Sequence, residues 1–220
     1  MIPIRDNNPS ATTPYITRAL IVVNVLVFIY TLLLPYSELQ ALFSLYALIP
    51  SRISAGENLY SVFTAMFLHA GVGHVFGNML FLWIFGNNVE DTLGHFKFLL
   101  FYFVCGLLGF LLQYFIDPYT SIPMLGASGA IAGVLGSYLV LYPYARIEIL
   151  IPFYFTFSRG TVPARFMLVY WILFQFLHGL GSLGVSGGGV AYFAHIGGFA
   201  TGWALTKIFG WEPKNKHWGW

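Results

Sequence analysis

Two side chains far apart in the chain have the chemistry of a nucleophile and its base. Ser128 stands in MLGASGA (124–130) with only glycine and alanine beside it. His195 stands in YFAHIGGFATGWAL, again beside small residues. An imidazole that takes the hydroxyl proton converts a serine into a nucleophile for acyl transfer. A second polar set lies in FLHAGVGHVFGNMLFLW, where His74 and Asn78 are four residues apart and share one helix face. Their donors, with the backbone N–H of Ser128, suit the oxyanion of a tetrahedral intermediate. His69 either assists them or is a solvated interfacial histidine. Plainer readings exist for each residue. Ser128 is also a good helix N-cap, and His74 with Asn78 would make an interhelical clamp of about 1 kcal/mol. The eight carboxylates lie at span edges or in connections, and Asp117 is the nearest of them in sequence to Ser128. The expectation is therefore a Ser-His dyad without an acid, and without metal or cofactor.

These residues are carried by a chain built for lipid. Of its 220 residues, 58% are hydrophobic and 8% charged, and mean hydropathy is +0.74. A water-facing surface cannot be made from that composition, so the chain is read as an integral membrane protein. A net charge of +2, with no phosphate-binding loop and no Lys/Arg block, excludes nucleic acid as a partner. The single Cys105, inside an apolar run, is read as packing. No signal peptide is read at the polar, proline-rich start.

Apolar segments at about 17–35, 73–90, 96–116, 128–143, 164–180 and 190–210 predict six helical spans in an all-α bundle. The division is a cytoplasmic segment 1–16, a six-span domain 17–210 and a cytoplasmic tail 211–220. With the N-terminus inside, nine of the ten Lys/Arg residues are cytoplasmic and Arg52 alone is outside. The long connection 36–72 is too apolar for a free loop and suits helices lying in the outer interface. The connection 179–189 holds six glycines and no charge, which fits a movable cap. Trp211, Trp218 and Trp220 read as interfacial anchors.

A helix from Ser128 to Pro143 would span roughly 24 Å, short of a hydrocarbon core of roughly 30 Å. DPYTSIPMLGA must then descend as irregular backbone, which survives at that depth only inside protein or against a watery cavity. Ser128 would sit on the floor of that cavity, at the positive end of a helix. His195, Gly198 and Gly202 share one face, and Ser128, Ala132 and Gly136 form a small-residue ridge to meet it. Gly126, Gly129, Gly198 and Gly202 are the expected close-packing positions.

At GASGA, AHIGG leading into GFATG, and HAGVGHVFGN, the sequence resembles the rhomboid family of intramembrane serine proteases. MIPIRDNNP and the EDTLG containing Glu90 and Gly94 add to the likeness, the latter as a structural element. The resemblance implies Ser128 as nucleophile, His195 as base, and His74 and Asn78 as oxyanion stabilisers. It also implies single-span membrane proteins as substrates, cut near the outer membrane boundary where the helix unwinds. Two departures stand out: Ala132 occupies a place where some members carry a tyrosine packed on the catalytic histidine, and the first outer loop lacks a Trp-Arg pair. The rival readings are a catalytically inactive rhomboid-like protein that binds transmembrane helices, and a small proton-coupled transporter.

Overall fold

The computed structural model describes residues 2–153, 156–184 and 189–213. Strand β1 (Ile2–Asp6) leads to helix α1 (Tyr15–Leu33) and three short helices, α2 (Tyr36–Tyr46), α3 (Pro50–Ser54) and α4 (Ser61–Thr64), the last continuing as a 3-10 turn at Ala65–Phe67. Helices α5 (Val72–Leu93), α6 (His95–Ile116) and α7 (Ser128–Leu141) follow. Strands β2 (Arg146–Phe153) and β3 (Thr156–Pro163) then lead to α8 (Ala164–Ser182) and α9 (Tyr192–Ile208). Helices α1, α6 and α8 are each long and apolar enough to cross a membrane, and α5 with the bent segment before it makes a fourth. Helix α7, at 14 residues, is about 21 Å long.

The outward faces of the helices are apolar, unlike those of a water-soluble bundle. Helix α1 buries Thr17, Asn24 and Thr31 with Leu20 and Phe28, while Val22, Leu26, Ile29, Tyr30 and Leu33 face outward. Helix α8 likewise exposes Phe166, Tyr170, Leu173 and Leu177. Apolar side chains lose nothing by facing lipid, so large ones cover the outside as well as filling the core. The protein is a mostly helical, multi-pass membrane protein.

The sequence predicts an all-α chain, but a small sheet is also present. Strands β1, β2 and β3 form one antiparallel sheet in that order, with Ile2 opposite Leu150, Asp6 opposite Ile147, and Arg146 opposite Pro163. In RIEIL, Ile147 and Ile149 are buried while Arg146 is exposed, a period of two between the apolar runs that overall hydrophobicity masks.

Residues after β1 are fastened to the end of α5. Ala11 N–H, Thr12 N–H and the Thr12 hydroxyl donate to Asp91. The buried Glu90 carboxylate accepts Ile16 N–H at 2.9 Å and Thr17 N–H at 2.7 Å, satisfying donors that the first turn of α1 leaves free.

Helices α6, α7 and α9 approach at glycines. A Cβ on Gly198 would collide with the Gly129 carbonyl, one on Gly202 with that of Gly133, and one on Gly136 with that of Phe199. The ridge on α7 is thus Gly129, Gly133 and Gly136: Gly136 is as expected, while Gly129 and Gly133 stand in place of the adjoining Ser128 and Ala132. Both faces are small, and only the rotation of α7 in the bundle chooses between them. Cys105 is buried, with its side chain where a Cβ on Gly133 would go. Gly179 and Gly181 lie within α8, so the connection expected over 179–189 begins later, and residues 185–188 of the expected cap lie outside the described residues. Trp211 packs its ring 5.9 Å from that of Phe101; Trp218 and Trp220 lie outside the described residues.

Candidate active site

The segment leading to Ser128 is irregular backbone that hydrogen-bonds to the connection between α2 and α5. Met124 and Leu48 exchange N–H···O bonds of 2.8 and 3.0 Å, and Gly126 N–H donates to Ala65 at 2.8 Å. Gly126 is not a helix-packing residue as expected. It precedes α7 with φ +123°, a conformation that side chains rarely adopt, and a Cβ there would lie 2.8 Å from the His74 ring.

Ser128 is the first residue of α7, and its hydroxyl does not cap the helix. It meets His195 instead, with Oγ 2.7 Å from Nε2. His195 is 8% exposed, on the first turn of α9. The start of that helix is held by Gln113, whose Oε1 accepts Phe193 N–H at 3.1 Å. The Gly129–Gly198 approach one turn away sets the separation of the two backbones, and hence the reach of the imidazole.

The other ring nitrogen, Nδ1, is 2.7 Å from Gln175 Oε1 on α8. With the proton on Nδ1, the ring donates to Gln175 and accepts from Ser128. One turn earlier on α8, the Trp171 ring lies 5.8 Å from the imidazole at 32° and stacks on Phe199. Trp171 thus puts an aromatic face against His195, although Ala132 on α7 offers none. Sequence reasoning missed both residues. A search confined to acids passes over Gln175, yet a lone amide in WILFQFLHG is itself a signal, because a polar side chain in a span seeks a partner.

His74 and Asn78 converge on the same place from α5. The His74 Nδ1 faces Ala70 N–H at 3.4 Å, which leaves the proton on Nε2, and Nε2 points at Gly126. Asn78 is 8% exposed, its Nδ2 is buried without a partner among the described residues, and a Cβ on Gly126 would sit 3.7 Å from it. Two donors therefore point at the backbone just ahead of Ser128. His69 is buried rather than solvated, with its ring edge-on to His74 at 5.0 Å. A nucleophile with its base on one side and unspent N–H donors on the other is an arrangement suited to acyl transfer.

Comparison with known proteins places the chain in a family. A family model for the Rhomboid domain matches residues 56–212. The chain is 40% identical over 89 residues to Rhomboid protease GluP of Bacillus subtilis, which is 40% of this chain and 17% of that protein. It is 31% identical over 170 residues to the mitochondrial RHOMBOID-like protein 6 of Arabidopsis thaliana, 77% of this chain and 48% of the relative. With Rhomboid protein 1, mitochondrial, of Saccharomyces cerevisiae it shares 30% over 155 residues, 69% and 41% of the two chains. The matched regions span less than half the length of each of these relatives. A match of this extent, falling on the helices that carry Ser128, His195, His74 and Asn78, shows that the chain belongs to the rhomboid family.

Proposed function

We propose that the protein is an intramembrane serine endopeptidase that cuts peptide bonds in or near the transmembrane segments of single-span membrane proteins. The observation that carries this is the 2.7 Å contact between Ser128 Oγ and His195 Nε2. Ser128 Oγ attacks the scissile carbonyl carbon while its proton passes to His195 Nε2. The oxyanion is met by the Ser128 N–H, His74 Nε2–H and Asn78 Nδ2. As the C–N bond breaks, His195 returns the proton to the leaving amine, and a water activated by the same imidazole hydrolyses the acyl-enzyme. A substrate helix shields its own peptide bonds, so the reacting segment must unwind into the polar site.

Six helices, α1 and α5–α9, cross the membrane with both termini in the cytoplasm, and the site opens to the other side. The distribution of Lys and Arg supports that orientation. The connection 36–72 rests in the outer interface, where α2 buries no residue against the protein. The chain forms one six-span unit, flanked by the segment 1–16 and the tail 211–220.

The test is cleavage of a single-span substrate in liposomes by wild type, Ser128→Ala and His195→Ala, with fluorophosphonate labelling alongside. Wild type should cleave and label, and both variants should lose cleavage while staying folded. Substantial cleavage by purified Ser128→Ala overturns the assignment. Binding without cleavage or labelling by wild type identifies an inactive rhomboid-like protein, and proton-dependent flux without proteolysis identifies a transporter.

A further inference from the structure

We propose that Gln175 is a positioning residue for His195, acting as a neutral third member of the site. The proposal rests on the reading of Ser128 and His195 as nucleophile and base. A free imidazole divides its proton between two nitrogens, and only the tautomer with Nε2 bare can accept the Ser128 proton. With its amide oxygen toward the ring, 2.7 Å from Nδ1, Gln175 accepts a hydrogen bond from that nitrogen when it carries the proton, and so favours this tautomer. Gln175 is 6% exposed, so little water competes for the bond. Trp171, four residues earlier and on the same face of α8, lies against the ring and limits its rotation.

The arrangement puts the control of one reactant on a helix that carries neither. Ser128 is on α7 and His195 on α9, whereas both groups that hold the imidazole come from α8. The base is therefore correctly set only while α8 lies against α9. A carboxylate in this position would add charge; an amide oxygen supplies an acceptor for Nδ1–H without requiring a buried ion in the span.

The experiment compares wild type with Gln175→Met, which keeps the length but removes the acceptor, and Gln175→Glu, which keeps the acceptor. Each is assayed for kcat and KM on the single-span substrate, and the His195 tautomer is read from 15N shifts of histidine-labelled protein, assigned against His195→Ala. Gln175→Met should lower kcat about tenfold or more with KM little changed, and should move the proton population from Nδ1 toward Nε2. Gln175→Glu should restore most of kcat. If the Met variant does not fold, Gln175→Asn, whose amide falls one methylene short of Nδ1, carries the same expectation. Wild-type kcat in the Met or Asn variant, or equal losses in all variants with an unchanged tautomer, overturns the proposal. Cleavage by Ser128→Ala would instead overturn the catalytic reading beneath it, so the two failures are distinguishable.

Discussion

Replacing Gly198 by alanine should disable the site without touching either reacting group. The added Cβ would lie 2.8 Å from the Gly129 carbonyl carbon and 3.3 Å from its Cα, and would overlap the carbonyl oxygen. Carbon atoms pack at about 3.5–4.0 Å, so α7 and α9 must part by about 1 Å at this level. Gly129 adjoins Ser128 and Gly198 is one turn from His195, so the 2.7 Å hydrogen bond opens to about 3.7 Å, outside bonding range. A misplacement of about 1 Å lowers turnover about 100-fold, and overpacking at this contact destabilises by about 1–3 kcal/mol. The assay is cleavage of the single-span substrate with a thermal melt of the same sample. Gly181→Ala, where a Cβ meets nothing within 4 Å, is the control and should retain wild-type rates. A folded Gly198→Ala protein that cleaves within about threefold of wild type would refute the claim that this contact sets the reacting distance.

Asn78→Ala should lower kcat about 100-fold with little change in KM, as expected for a donor used only in the transition state; an unchanged kcat with weakened substrate binding would mark Asn78 as an interhelical clamp. Asp6, outside the spans, should make stability depend on pH. Burial raises its carboxyl from 3.8 to about 6, despite hydrogen bonds donated by Tyr138 and Asn88, and Arg5 and Arg18 line the cavity beside it. Its contribution is fully present below pH 3.8 and is lost as pH rises through about 6, a difference of about 3 kcal/mol. The melting temperature should fall between about pH 4 and 6 in wild type and stay flatter in Asp6→Asn; equal slopes would show that Asp6 does not titrate in this range.

Much of the fold was legible because lipid permits few solutions. A chain this apolar must hide its backbone in helices, and the six segments expected from hydropathy correspond to α1, α5, α6, α7, α8 and α9. The sheet was not legible. Its alternation covers a few residues between two apolar runs, and β1 is defined only by pairing with β2, more than 140 positions away in the sequence. Gly126 was misjudged because a small residue before a helix looks the same whether it serves packing or a turn.

The types and spacing of Ser128, His195, His74 and Asn78 are properties of the sequence alone, because reactive polar residues in an apolar chain are few and helical periodicity says which of them share a face. Which face of α7 meets α9, and that α8 brings Gln175 and Trp171 to the imidazole, depend on helix rotation and depth. No local pattern encodes these. They are set by where backbones can approach at Gly129, Gly133, Gly198 and Gly202, contacts that exist only once the helices are assembled.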